Sequence, residues 1–152
     1  MPDTPEAGHS KPETVLAFDF GLRRIGVAVG QTITASASPL GVVINGDSGP
    51  DFDAISSMID EWRPSRLIVG LPMHADGSPG EMQSHVEEFV RKLWRYQIKI
   101  DTVDERYTSL EAEAVLKNAR ASGSRGRISR EMIDSAAAVF IAERFLSGRT
   151  NV

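Results

Sequence analysis

The chain has 152 residues, of which 41% are hydrophobic, so it is long enough for one well-buried core and too short for two sizeable ones. It contains no cysteine, which excludes disulfides, zinc–thiolate sites and thiol nucleophiles. The formal net charge of −4 argues against a protein that coats nucleic acid nonspecifically, because that kind of affinity depends on neutralising phosphates.

The N-terminal segment is polar and contains proline, without the apolar core of a secretion signal or the Arg-rich face of a transit peptide. We predict a disordered tail at residues 1–13, a single domain over 14–148 and a C-terminal tail at 149–152. No apolar stretch approaches the roughly 20 residues that span a bilayer. The expected protein is therefore cytoplasmic, without a membrane partner.

The first half of the domain shows strand patterns followed by a helix and another strand. Three strands at 15–20, 25–29 and roughly 40–44 are joined by short turns, which predicts an antiparallel meander. Helical spacing of apolar residues over 52–62 is stopped by Pro64. A short buried strand at 66–70 follows.

The second half continues the alternation. A helix is predicted from about residue 80 to 94 and a strand at 98–103. A capping-box pattern from Thr108 begins another helix. The final helix is expected to begin near Ser129 and to end before Gly148. The predicted order is βββαβαβαα, an α/β fold without an internal repeat.

Three acids lie at ends of these elements. Asp19 ends the apolar run of the first strand, and Glu105 follows the last strand. Asp134 falls in line with Ala138 and Ile141, on the helix face directed at the sheet. Each has an ordinary structural role as an alternative: a turn cap, an exposed loop acid and a first-turn acid favoured by the helix dipole. Together they predict one site that binds a divalent cation, because carboxylates are the ligands that Mg²⁺ prefers.

Metal-assisted cleavage of phosphodiesters is the chemistry that such a site favours. We therefore predict that Asp19, Glu105 and Asp134 are both catalytic and metal-binding, with Mg²⁺ or Mn²⁺ as the cofactor. No Walker A sequence, G-x-S-x-G elbow or H-E-x-x-H occurs, so the signatures of P-loop nucleotide hydrolysis, serine hydrolases and zincins are missing.

Basic residues near these acids are the candidates for binding a substrate phosphate. Arg23, Arg24 and Arg106 are close in sequence to Asp19 or Glu105 and could instead pair with them. A Gly/Ser/Arg segment before the final helix adds Arg125 and Arg127. This segment could follow a phosphate backbone or could be a solvated surface loop.

Four segments together resemble the YqgF family, whose members are known as pre-16S rRNA nucleases and Holliday junction resolvases within the ribonuclease H-like superfamily. The segments are residues 18–30 (FDFGLRRIGVAVG), 69–72 (VGLP) with 76–78 (DGS), 104–108 (DERYT) and 133–138 (IDSAAA). They span most of the chain in the order that the family has. Many relatives carry an acid at Gln31 and an asparagine at His74, so neither position is counted as a ligand.

The resemblance implies a ribonuclease H-like fold, a central five-stranded mixed sheet flanked by helices. It carries the metal-binding acids onto Asp19, Glu105 and Asp134. It also implies a nuclease acting on structured RNA in ribosome biogenesis, at the 5′ end of pre-16S rRNA, with ribosomal precursor particles as partners. The close alternative is a resolvase of branched DNA. We expect a monomer or a weak homodimer.

Two further classes stay open on the sequence. The segment Phe18–Gly21 followed by a turn and a Gly-rich strand resembles the first phosphate loop of the actin and sugar-kinase group. Such proteins enclose a nucleotide between two domains, and this chain offers one. The other class is a nucleic-acid-binding module that keeps the acids without catalysis.

Overall fold

A computed structural model describes residues 12–71, 80, 82–104 and 130–150, and within the last range the side chains of residues 135–148. The strands are β1 (Thr14–Asp19), β2 (Arg24–Gln31), β3 (Ser36–Gly46), β4 (Gly49–Pro50), β5 (Arg66–Leu71) and β6 (Lys99–Asp104). The helices are α1 (Phe52–Trp62), α2 (Gln83–Leu93) with a 3₁₀ turn at Trp94–Tyr96, and α3 (Arg130–Thr150).

In the described part of the chain the strands form one mixed sheet in the order β4-β3-β2-β1-β5-β6. The first three strands are antiparallel, as predicted. β5 pairs with β1 in parallel and β6 pairs with β5 in parallel. The change from antiparallel to parallel pairing therefore falls at β1, the strand that ends at Asp19.

The sheet has six strands where five were expected, and the additional one is β4. It consists of Gly49 and Pro50, which pair with Gly46 and Asn45 of β3. Two residues are too short for the alternation that reveals a strand, and glycine and proline are typical of turns. The sequence signal at this position was that of a loop.

The sheet is covered on both faces, which explains the nearly continuous apolar runs of its central strands. Leu16 and Phe18 of β1 belong to a core cluster with residues of α1 and α2. Val15 and Ala17 alternate with them and belong to a second cluster with Ile141 of α3. The α1 and α2 helices thus lie on one face of the sheet and α3 lies on the other.

The boundaries of α1 coincide with the prediction. Asp51 caps its start, with the side-chain oxygen accepting a hydrogen bond from the Ala54 backbone N–H at 3.2 Å. Arg63 adopts a left-handed conformation at the C-cap, and its N–H donates to the Ile59 carbonyl at 2.8 Å. Pro64 follows and prevents continuation of the helix.

The last helix is longer than predicted. It continues past Gly148 to Thr150, because Gly148 stays within the helix and does not adopt the left-handed conformation of a C-cap glycine. Its buried residues face the sheet: Ser135, Ala138, Ile141, Ala142 and Leu146.

Gly30 of β2 lies directly under α3. A Cβ at this position would lie 3.2 Å from Cδ1 of Leu146 and 3.6 Å from Cβ of Ala142 on the helix, and 3.1 Å from Cγ2 of Val15 on β1. The helix therefore packs closely on the sheet, and the absence of a side chain at residue 30 permits this approach.

Glu13, the last residue of the predicted tail, is joined to the domain. Its carbonyl oxygen accepts a hydrogen bond from the Thr32 backbone N–H at 3.0 Å. Its carboxylate accepts one from the Ser65 hydroxyl at 2.9 Å. Within the described ranges, no helix combines the length and hydropathy needed to cross a membrane.

Candidate active site

The carboxyl ends of β1, β5 and β6 meet at one edge of the sheet, because these three strands are parallel. Asp19 ends β1, Leu71 ends β5 and Asp104 ends β6. Neighbouring strands are about 4.8 Å apart, so the ends of β1 and β6 are separated by roughly 10 Å across β5. Asp19 is therefore at this edge, and Glu105 is the residue that follows Asp104 in the sequence.

The side chain of Asp19 lies on the sheet face that α3 covers. Side chains alternate along a strand, and Asp19 has the parity of Val15 and Ala17, which contact α3. Asp19 is half-buried. Val103 near the end of β6 packs against the same cluster. The structure thus places the first predicted acid at the carboxyl edge, beneath the helix to which Asp134 belongs.

The beginning of α3 is fixed to the sheet at about the same level. The Ser135 hydroxyl donates to the Gly41 carbonyl of β3 at 3.2 Å, and Ser135 is only 4% exposed. Gly41 is paired with Val27 of β2, which is paired with Phe18 of β1. The backbone next to Ser135, at residue 134, therefore lies near the level at which β1 ends.

Two of the three predicted ligands lie outside the described side chains: Glu105 altogether, and Asp134 beyond its helical backbone. Among the side chains that the structure does describe, no three histidine, aspartate or glutamate groups are gathered closely enough to hold a metal ion. The structure therefore positions Asp19 and the backbone of residue 134, and the convergence of the three carboxylates stays a prediction.

The turn between β1 and β2 carries the two described arginines of the predicted substrate site. Arg23 is exposed and Arg24 is half-buried at the start of β2. Asn45 at the end of β3 holds this turn, because its side-chain amide donates to the Gly21 carbonyl at 2.8 Å and its backbone N–H donates to the Arg23 carbonyl at 2.9 Å. The turn that carries both arginines directly follows Asp19 in the chain.

Four residues from the sequence analysis lie outside the described part of the chain: His74, Arg106, Arg125 and Arg127. Gln31 is exposed at the far end of β2, where it pairs with Thr14, and so lies at the opposite edge from Asp19.

Sequence reasoning missed two residues at this edge. One is Asn45, and an asparagine after a strand was a usable turn signal. The other is Arg144 of α3, whose Nη1 donates a hydrogen bond to the backbone carbonyl of Asp104. No sequence pattern indicates this contact, because a backbone carbonyl is present at every residue.

The mixed sheet with helices on both faces, and an acid at the end of its first strand, define a ribonuclease H-like α/β domain. Solved structures with this fold include RuvC from Thermus thermophilus in complex with a Holliday junction substrate. That structure is 12% identical, with a TM-score of 0.55 over 92% of this chain and 97% of the other. The yeast mitochondrial Holliday junction resolvase Ydc2 is 9% identical, with a TM-score of 0.53 over 89% of this chain and 78% of the other.

The chain belongs to the RuvX family, described as Holliday junction resolvase, whose model matches residues 13–148. A relative from Paraburkholderia phymatum, named "Putative pre-16S rRNA nuclease", is 44% identical over 136 residues, 89% of this chain and 85% of the relative. A relative of the same name from Burkholderia lata is 44% identical over 138 residues, 90% of this chain and 91% of the relative. RuvX is another name for the YqgF family, so the resemblance found in the sequence is confirmed. The names of these relatives are those of nucleases, as predicted.

Proposed function

We propose that this protein is a divalent-metal-dependent endonuclease that hydrolyses phosphodiester bonds in structured nucleic acid, with the 5′ end of pre-16S rRNA as its substrate. The observation that carries the proposal is the position of Asp19, half-buried at the carboxyl edge beneath α3. Membership of a family with nuclease names supports it. The proposed setting is the cytoplasm, on ribosomal precursor particles.

The donor set suits a hard cation. Asp19, Glu105 and Asp134 would supply carboxylate oxygens, which Mg²⁺ and Mn²⁺ accept readily. Bound there, the cation would neutralise developing negative charge and make a water more acidic. The half-buried setting of Asp19 matters because a carboxylate partly removed from water interacts more strongly with a neighbouring charge.

The protein's own groups have separate tasks. The three carboxylates would hold the cation, and if gathered without it they would repel one another. Arg23 and Arg24 lie in the adjacent turn and bind the phosphates that flank the cleaved bond. The close packing of α3 on Gly30 keeps the helix of Asp134 at a fixed height over the sheet.

A second candidate is resolution of Holliday junctions, favoured by the family description and by the RuvC-like fold. A junction enzyme cuts two strands symmetrically, so it requires a two-fold dimer with both sites on one face. The RNA nuclease has no such requirement and acts as a monomer or a weak homodimer.

The experiment is a cleavage assay on a pre-16S RNA fragment and on a four-way DNA junction, with Mg²⁺ or Mn²⁺. The parent protein is compared with Asp19→Asn and Asp134→Asn, and light scattering measures the oligomeric state. We expect metal-dependent cleavage of the RNA by the parent alone. Symmetric cleavage of the junction by a dimer would favour the resolvase. A parent that binds RNA and cuts neither substrate would favour a non-catalytic module.

Removal of either described arginine should weaken substrate binding. We expect Arg23→Gln or Arg24→Gln to raise the dissociation constant for RNA severalfold, and to reduce the slope of log affinity against log salt by about 1 for each phosphate that is no longer neutralised. The measurement is RNA binding across a salt series. Lys99→Gln is the control, because Lys99 is exposed at the amino end of β6, on the opposite edge. Equal salt slopes for all variants would contradict this role.

A further inference from the structure

We propose that Arg144 is a positioning residue for the metal site. It acts by holding the carboxyl end of β6 against α3. This inference rests on the proposed function, because it concerns cation binding at the same site. Its basis is the partly buried hydrogen bond from Nη1 of Arg144 to the backbone carbonyl of Asp104. Asp104 is the last residue of β6 and directly precedes Glu105.

The atom that Arg144 binds makes the contact informative. A peptide unit is planar, so the carbonyl oxygen of Asp104 shares a plane with the nitrogen and Cα of the next residue. A hydrogen bond to that oxygen restrains rotation of the whole plane. Arg144 thereby limits the directions in which the chain can leave β6, and these directions determine where the Glu105 carboxylate can reach.

Arg144 itself projects from a firmly held element. The Ser135 hydroxyl fixes the start of α3 to the Gly41 carbonyl, and Leu146 and Ala142 pack over Gly30. Asp134 and Arg144 belong to the same helix, about 15 Å apart along its axis. One rigid helix therefore carries a predicted ligand and restrains the strand that leads to another.

A guanidinium group suits this task. It is always charged and presents several N–H donors in a fixed plane, so it can bind a carbonyl while its remaining donors face neighbouring groups. A lysine at this position would supply a charge and three rotatable donors on a more flexible chain, without the fixed planar arrangement of the guanidinium. We therefore expect lysine to restore part of the effect and an apolar side chain to restore none.

The chain offers a matched control, an arginine that also binds β6 but lies towards the amino end of the parallel strands. Arg66 at the start of β5 forms an ion pair with Asp101 of β6, with Nη1 2.6 Å from Oδ2. Like Arg144, it is partly buried and tethers β6 to the rest of the protein. It lies at the amino end, so its removal should lower stability without changing the metal site.

The test measures Mn²⁺ binding by titration calorimetry on the full chain, together with thermal unfolding in EDTA. Arg144→Met should weaken Mn²⁺ affinity about 10-fold or more, the range seen when groups that orient metal ligands are removed. Arg144→Lys should recover part of this loss. Arg66→Met should lower the melting temperature and keep the affinity of the parent. Hydrogen exchange at the end of β6 should increase in Arg144→Met only.

The outcomes separate this inference from the proposed function. If the parent and Asp19→Asn bind Mn²⁺ equally, the proposed metal site is wrong. A second outcome is that Asp19→Asn loses Mn²⁺ binding while Arg144→Met binds Mn²⁺ with the affinity of the parent. The positioning role of Arg144 alone is then overturned, whether or not Arg144→Met is less stable. If Arg144→Met does not fold, Arg144→Gln is measured in its place. Weaker Mn²⁺ affinity of the folded Arg144→Gln variant would support the inference. An Mn²⁺ affinity equal to that of the parent would overturn it.

Discussion

Replacing Asp19 by asparagine should lower the rate of metal-dependent cleavage by at least about 100-fold. The substitution keeps the shape of the side chain and removes its negative charge, so the cation loses a ligand where charge develops in the transition state. Asp19 ends β1 on the face that α3 covers, where it is half-buried. The measurement is single-turnover cleavage at saturating Mg²⁺.

Asp60→Asn is the matched control for this prediction. Asp60 is exposed in α1, on the other face of the sheet, so this variant changes the net charge equally. It should cleave at the parental rate, and both variants should keep the circular dichroism spectrum of the folded protein. Cleavage by Asp19→Asn at the parental rate would show that the activity comes from another site or from a contaminant.

Gly21→Ala should lower cleavage by up to about 100-fold, because displacement of a catalytic group by about 1 Å can have an effect of that size. A Cβ at residue 21 would lie 2.4 Å from the Arg24 carbonyl oxygen, so one stretch of backbone must move. The turn immediately follows Asp19 and presents Arg23 and Arg24. A shift there alters the position of a ligand and of two phosphate-binding groups at once.

The stability of Gly21→Ala should fall as well, by about 1–3 kcal/mol, as for other substitutions that force backbone shifts. Gly46→Ala is the control at the same edge, because a Cβ there meets no atom within 4 Å. Urea unfolding and the cleavage assay are measured on both variants. Full activity and stability of Gly21→Ala would mean that the turn adapts without moving Asp19.

Much of the fold followed from apolar periodicity and from helix-stop signals. The limits of α1 were predicted because its apolar spacing is regular and Pro64 follows it. β4 was missed because a strand of Gly49 and Pro50 has no periodicity. The end of α3 was misplaced because Gly148 resembles a C-cap glycine, and only packing determines whether the helix continues.

Part of the candidate site could also be predicted from the sequence, and part could not. The position of Asp19 at the end of the first strand followed from the apolar run that precedes it, which is a local property. The contact between Arg144 and the Asp104 carbonyl depends on how α3 crosses the sheet and has no sequence signature. The roles of all the candidate site residues rest on the sequence and stay predictions: Asp19, Glu105, Asp134, Arg23, Arg24, Arg106, Arg125 and Arg127.

The close approach of α3 to Gly30 has a consequence for how the sequence can diverge. A methyl group added at residue 30 would meet Leu146 at 3.2 Å and Val15 at 3.1 Å, so neither neighbour can keep its size and position unchanged. Residues in contact do not change independently. Homologues that carry alanine at this position should therefore show covariation, with a shorter side chain at residue 146 or 15 as the compensating change.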